Sequence, residues 1–360
     1  MPIPVERHRA RRDRLRELVS ADHPSAVLLV TDLANVRYLS GFSGSNGILV
    51  LGRDPGSDVI ATDGRYVDQV AQESPDLPTL IDRDTLPAVL AALGRGPVAI
   101  EDVMPVGDVV GVREAAGEPI VTGGLVSALR AVKDGDELAA LERATSITVA
   151  ALDQLAGEMG PGVTEISLAR RLEQLFGELG AEDRAFDTIV GSGPHSAIPH
   201  HQPGGRLLAP GDLVVVDAGA RVDGYHADMT RTFVVGESVL PWQEEIHAAV
   251  AEARSAAAAA YLPGASAREI DAIARRVVDD SGFGERFTHG LGHGVGLQIH
   301  EAPNIGARST GTISVGMAIT VEPGVYLPGM GGVRIEDTLV VTDAGPRILT
   351  EAPRGLRMVG

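Results

Sequence analysis

The chain repeats itself once, and that repeat limits the fold more than any single motif. Pro161-Gly162 precedes a helical pattern over 164–179, and Asp217 lies 56 residues beyond that proline. Pro263-Gly264 precedes a second helical pattern over 266–278, and Glu322 lies 59 residues beyond it. Each half opens on a longer amphipathic pattern, around 134–158 and 242–261, and closes on two strand-like runs carrying two acids. Two such halves meeting face to face bring both acid pairs to one central site, the kind of interface where pockets form. Asp134 with Glu137 and Ser266 with Glu269 have the capping-box spacing of helix starts.

In the first half, Leu213-Val-Val-Val-Asp217 and Asp228-Met-Thr-Arg-Thr-Phe-Val-Val235 flank Asp223-Gly224, a strong hairpin signal. A two-residue loop there places Val222 opposite Tyr225, Gly219 opposite Asp228 and Asp217 opposite Thr230. Side chains alternate along a strand, so Asp217 and Asp228 share one sheet face. Without a cation between them they repel, and one tends to stay protonated. In the second half Glu322 and Glu336 flank a Pro/Gly-rich turn whose register the residues leave open. Arg334 and Glu336, two apart, share a face.

Three of the ten histidines, His289, His293 and His300, fall between 289 and 300. Glycines at 290, 292, 294 and 296 argue against a helix, so these imidazoles stand on extended or loop backbone. They read as a metal or acid/base site, or as a glycine-rich turn with partly buried hydrogen-bonding histidines. Asp217, Asp228, Glu322 and Glu336 carry four negative charges, which two divalent cations balance. Four carboxylates and one imidazole suit paired Mn²⁺, Co²⁺ or Zn²⁺, ions that activate water and polarise a carbonyl.

With these residues assembled, the chain resembles the pita-bread metallopeptidases of family M24, specifically the Xaa-Pro group that contains prolidase and aminopeptidase P. The resemblance covers nearly the whole chain. It implies an α/β N-terminal domain over 1–130, followed by an α+β pita-bread catalytic domain over 131–360 with an internal pseudo-two-fold repeat. It also implies ligation of two divalent ions, Mn²⁺ first and Co²⁺ or Zn²⁺ as other candidates, by Asp217, Asp228, His293, Glu322 and Glu336. His200, in Ala-Ile-Pro-His200-His201, matches a family histidine that binds substrate and steadies the reaction; His289, His300 and Arg334 match residues around substrate and ligands. Glu322 doubles as ligand and proton shuttle. The implied reaction is hydrolysis of Xaa-Pro bonds in proline-containing peptides or dipeptides, by a homodimer whose first domain covers a neighbour's cleft. Tyr38-Leu-Ser-Gly-Phe42 and Thr62-Asp-Gly-Arg-Tyr66 resemble that domain's signature loops. Methionine aminopeptidases resemble the catalytic half but lack the large preceding domain. Two other readings stay open: a metal-independent creatinase-like C–N hydrolase, disfavoured because all five ligand positions are filled, and a non-catalytic binding member of the fold. Dipeptidase and aminopeptidase action are not separated.

Within 1–130, apolar runs over 26–30, 47–51 and 58–62 read as strands, with helical stretches near 65–73 and 85–94, and 125–135 reads as the link between domains. Arginines between 7 and 16 are interleaved with Glu6, Asp13 and Glu17, which suggests a solvated helix face. A net charge of −18 speaks against general affinity for a phosphate backbone, and no nucleic-acid partner is expected. Zero cysteines exclude disulfides and thiolate ligands. With no 18-residue apolar run and no apolar segment after the basic N-terminus, no membrane contact is expected and the cytoplasm is the default location.

Overall fold

Short apolar runs bounded by Gly, Pro and Asp set the strands of the amino-terminal unit. The computed structural model describes residues 3–360, and the chain divides into two compact units, one ending at Arg130 and the other spanning Ala131–Gly360. The first contains α1 (Val5–Asp22), β1 (Val27–Val30), α2 (Leu33–Ser40), β2 (Ile48–Leu51), β3 (Val59–Thr62), α3 (Val67–Glu73), β4 (Thr79–Ile81), α4 (Thr85–Leu93), β5 (Val98–Ile100), α5 (Val106–Ala116), β6 (Ile120–Val121) and α6 (Leu125–Ala131). Its strands form one mixed sheet in the order β4-β3-β2-β1-β5-β6. Leu29, Val50, Ala61, Val89 and Ile100 are buried in its core. The stretch expected as a link is mostly helical. Residues 125–131 lack Gly and Pro and contain good helix formers, so α6 leaves only 132–134 between helices.

The opening helix departs from the solvated face expected of it. α1 buries His8, Arg11, Arg12, Leu15, Arg16 and Val19, a stripe with helical spacing made largely of cations. Arg12 donates to Asp58 at 3.1 Å, Asp76 at 2.5 Å and the Leu39 carbonyl at 2.9 Å, and Arg16 donates to Asp58 at 2.7 Å. Arg14, by contrast, lies on the outer face, 61 % exposed. The partners Asp58 and Asp76 are distant in sequence, so counting neighbouring charges along the helix could not reveal them.

His8 donates through Nδ1 to the Tyr38 carbonyl at 2.9 Å, and burial lowers its pKa to about 4. The imidazole is therefore neutral in the fold, whereas the unfolded chain protonates near pH 6.5. Below that value the unfolded state binds the extra proton, so stability is lost as pH falls from about 6.5 to about 4. The full effect is on the order of 3 kcal/mol. Denaturant unfolding at pH 7 and pH 4 should show a smaller drop for His8→Asn than for the wild type; equal drops would mean that His8 is not held neutral.

The second unit comprises α7 (Gly135–Ala156), α8 (Glu165–Glu178), β7 (Asp183–Arg184), β8 (Ile189–Ser192), β9 (Leu213–Ala218), β10 (Ala220–Val222), β11 (Tyr225–His226), β12 (Met229–Val235), α9 (Pro241–Ala259) and α10 (Ala267–Asp280). It continues with β13 (Gly292–Gly294), β14 (Glu301–Ile305), β15 (Ala318–Val321), β16 (Gly324–Leu327), β17 (Gly331–Arg334), β18 (Asp337–Thr342), β19 (Gly345–Ile348) and β20 (Arg357–Val359). The two halves repeat in detail: Thr164 caps α8 and bridges Leu207, while Ser266 caps α10 and bridges Thr312. At α7 both arms of the Asp134/Glu137 capping box form; at α10 only Ser266 Oγ takes part, accepting from the Glu269 amide at 3.4 Å.

Each half is a long hairpin that parts where its acids sit. In the first, Asp217 pairs with Thr230 and Val222 with Tyr225 in one unbroken register, closed by Asp223 and Gly224 at φ 51° and 83°. A Cβ at Gly219, opposite Asp228, would lie 1.8 Å from the Ala227 carbonyl oxygen, so this crossing requires glycine. In the second, β15–β18 and β16–β17 share one register on either side of a break, which brings Glu322 opposite Glu336. Alternation then sorts the faces. Val214, Val216, Met229 and Phe233 pack with Leu168, Leu172 and Phe176 of α8, each such side chain contributing roughly 1.5–3 kcal/mol by burial. Ile319, Val321, Leu339 and Val341 pack with α9 and α10. The remaining positions, including Asp217, Asp228, Thr230, Glu322, Arg334 and Glu336, turn toward the opposite half. Among the described residues no helix is long and apolar enough to cross a membrane.

Candidate active site

Asp217, Asp228, His293, Glu322 and Glu336 line one cavity of about 490 Å³, together with His200, His289, His300 and Arg334. All nine residues singled out in the sequence therefore meet at one place. Asp228 and Glu336 are buried, and a carboxylate oxygen from each and a ring nitrogen of His293 lie within 4.8 Å of one another. His293 Nε2 stands 3.5 Å from Asp228 Oδ2 and 3.3 Å from Glu322 Oε1. Its Nδ1 is 3.1 Å from the Gly294 carbonyl, a bond that leaves Nε2 facing the acids.

The electrostatics are those of a site short of positive charge. Burial, then the charges of Glu336, Asp217 and Glu322, raise the Asp228 carboxyl well above its ordinary range. Burial and the facing Glu322 and Asp217 do the same to Glu336. Burial also opposes ionisation of Glu322, but the hydrogen bond and charge of His293 outweigh it and hold Glu322 low. Burial disfavours the His293 imidazolium, yet Glu322 raises it. Without metal, then, His293 and Glu322 favour each other's charged forms while Asp228 and Glu336 are driven toward neutrality. Asp217 Oδ1 is buried with no hydrogen-bond partner among the described residues. An unpartnered carboxylate oxygen, two like-charged pairs and one directed imidazole fit paired divalent cations, which take oxygen and imidazole donors.

Among the described residues Arg334 is the one guanidinium in the cavity wall. It donates from Nη2 to Asp217 Oδ2 at 2.6 Å, from Nη1 to the Tyr326 hydroxyl at 2.9 Å and the Pro199 carbonyl at 3.2 Å, and from Nε to Thr230 Oγ1 at 3.1 Å. The Tyr326 hydroxyl passes the chain on to His289 Nε2 at 2.9 Å. Burial lowers the pKa of His289, and burial followed by the charge of His293 lowers that of His300, whose ring lies edge-on to His293 at 4.4 Å. Both are therefore neutral near pH 7; His289 spends its two ring nitrogens on the Gly290 carbonyl, at 2.8 Å, and the Tyr326 hydroxyl, whereas His300 can donate one hydrogen bond and accept another.

Three further residues belong to the site and escaped the sequence reading. Thr230 Oγ1 donates to Glu336 Oε2 at 2.7 Å; Thr320 Oγ1 accepts from the His293 amide at 3.0 Å and donates to Glu322 at 3.2 Å; Tyr326 joins His289 to Arg334. Thr230 lies two residues after Asp228 and Thr320 two before Glu322, so the same alternation that pairs the acids could have found them. Tyr326 has the same parity as Glu322 but lies beyond Pro323-Gly324, on the strand whose register the residues leave open.

A cavity at the seam of two repeated α+β halves, walled by acids and histidines, defines a metallohydrolase of the pita-bread type. The chain belongs to metallopeptidase family M24, whose model matches residues 139–343, and carries a creatinase/prolidase N-terminal domain matched over 11–132. It is 35 % identical over 345 residues to a Xaa-Pro dipeptidase of Pyrococcus horikoshii, covering 95 % of this chain and 97 % of that one. Among solved structures, a Xaa-Pro dipeptidase from Bacillus anthracis superposes with a TM-score of 0.92 at 34 % identity, over 98 % of this chain and 100 % of that one. An X-Pro aminopeptidase from Thermotoga maritima superposes with a TM-score of 0.89 at 33 % identity, over 97 % and 99 %.

Proposed function

We propose that this chain hydrolyses the peptide bond between an N-terminal residue and proline, with two divalent ions, Mn²⁺ in the first place, held by Asp217, Asp228, His293, Glu322 and Glu336. The observation that carries the reading is the convergence of four carboxylates on one directed imidazole, with Asp217 Oδ1 unpartnered. Names of relatives support the Xaa-Pro bond as substrate. Proline makes that amide tertiary and removes its N–H, so a dedicated pocket serves where general peptidases do poorly.

Such ions, when bound, supply carbonyl polarisation and a water acidic enough to react near neutral pH. The side chains do the rest. Glu322 accepts a proton from the attacking water and delivers it to the proline nitrogen as the C–N bond breaks. His200 and His300 hydrogen-bond the substrate carbonyl oxygen and hold its developing negative charge. Arg334 fixes Asp217 and, through Tyr326, His289. In His200→Ala we expect metal to stay bound while kcat/KM falls by roughly 10²-fold or more; lost metal would instead make His200 a ligand.

The test of the activity is a metal-reconstituted assay of Ala-Pro against Ala-Pro-Ala, reading rate and product. Cleavage of the dipeptide alone makes the enzyme a dipeptidase, and release of alanine from the longer peptide makes it an aminopeptidase. Turnover of neither, with metal bound, would refute the reading, and activity that survives chelation would favour a metal-independent C–N hydrolase. We further propose a homodimer, as the family resemblance implies, checked by light scattering on the full chain.

A further inference from the structure

Glu165, His195 and His201 form a second convergence of ligand atoms, apart from the four-acid cluster. Glu165 is the first residue of α8 and its side chain is fully buried. Its Oε1 accepts from the Ser192 amide and hydroxyl, both at 2.8 Å, which orients the carboxylate. His195 Nδ1 spans both oxygens, 2.9 Å from Oε1 and 3.1 Å from Oε2, and Oε2 also takes His201 Nε2 at 3.0 Å and the Gly204 amide at 3.3 Å. The three donor atoms lie within 4.8 Å of one another, and the ring centroids are 4.2 Å apart.

That spacing is close to what a small cation requires. Donors bonded to a tetrahedral ion at about 2.0–2.1 Å stand about 3.3 Å from one another, so shifts of a few tenths of an ångström suffice. Each neutral imidazole satisfies these contacts with one N–H, and in the other tautomer the same two ring nitrogens offer lone pairs to an ion beside the carboxylate. Arg206, the nearby cation, is already paired with Asp212 at 2.6 and 3.0 Å. The His195 side chain is 36 % exposed, which leaves a path for an ion and room for water in the fourth position.

We propose that Glu165, His195 and His201 bind one divalent cation of the Zn²⁺ class, separate from the centre at Asp228, His293 and Glu336. Two imidazoles, one carboxylate and a water form a donor set that suits zinc. The ion closes the 195–201 segment onto the start of α8. Because His200 is the next residue to a ligand, occupancy fixes the backbone that presents it to the cavity.

The test equilibrates full-length wild type, His195→Ala and Glu165→Gln with Zn²⁺, removes free metal, and counts bound zinc by mass spectrometry. Each variant should hold one ion per chain fewer than wild type. In an Asp228→Ala background one zinc should remain and then disappear on adding His195→Ala, so failure of the principal centre and failure of this site are seen separately. Amide exchange over 193–205 should slow on zinc addition in wild type but not in His195→Ala. His195→Ala removes one partner of the buried Glu165 carboxylate but leaves its bonds from Ser192 and His201 in place, and thermal melting confirms that the variant folds. Equal zinc content and equal exchange in wild type and His195→Ala would overturn the proposal, leaving a hydrogen-bonded loop anchor.

Discussion

Glu336→Ala should abolish peptidase activity and release metal, and Asp228→Ala should do the same. Each removes one of the four carboxylates that we propose hold the ions with His293; the loss should exceed the roughly 10²–10³-fold that removal of one oxyanion donor costs. The metal-free state should respond in the opposite sense. There Glu336 faces Glu322 in the strand register, and burial with the neighbouring charges drives it toward its neutral form. The carboxylate is a source of repulsion without metal and of attraction with it, so metal-free Glu336→Ala should melt no lower than metal-free wild type. Added Mn²⁺ should raise the melting temperature of wild type far more than that of the variant, because binding to the native state alone is stabilising. Metal analysis and melting with and without chelator check both halves. Two ions bound with wild-type turnover in either variant would sink the ligand assignment.

What could be read in advance was the local and periodic part of the structure. Asp223-Gly224 specifies a turn whose two residues both take positive φ, and with the turn in place alternation alone carries Asp217 and Asp228 to one face. The second hairpin resisted, because its Pro328–Met330 loop admits several registers, and only the observed pairing of Gly324 with Arg334 brings Glu322 opposite Glu336. Partnerships between distant segments were not legible. The buried arginines of α1 depend on Asp58 and Asp76, and Glu165 meets His195 and His201 only because β8 returns its strand end to the start of α8. In both cases the residues alone look like ordinary surface groups, since nothing within a helical turn of them announces the partner. The stretch at 125–131, read only as a link, is helical as well, and its run of good helix formers without Gly or Pro was the signal for that.

Arg334 tests whether the shape of a cation matters in this site or only its charge. Buried to 2 % exposure, it reaches four acceptors: Asp217, Tyr326, Thr230 and the Pro199 carbonyl just before His200. A lysine ammonium keeps the charge beside Asp217 but is a compact donor on a flexible stem and cannot span this planar fork. Arg334→Lys should therefore hold most of the metal, with affinity down roughly 10–100-fold as for other supports of metal ligands. It should still lose kcat/KM by roughly 10²-fold or more, because the tie to Tyr326 and His289 and the anchor at Pro199 are gone. Arg334→Ala should add a stability loss of about 3–5 kcal/mol in the metal-free protein, the cost of breaking a buried ion pair from one side. Tyr326→Phe provides the intermediate case: it leaves Asp217 paired with Arg334 and removes the hydroxyl's two bonds, to Arg334 Nη1 and to His289, so its effect should fall on kcat/KM with metal affinity unchanged. Metal titration, kinetics and denaturant unfolding of the three variants separate these contributions. If Arg334→Lys matched wild type in all three, charge alone would account for Arg334, and the chain from Asp217 through Tyr326 to His289 would have no part in positioning the substrate.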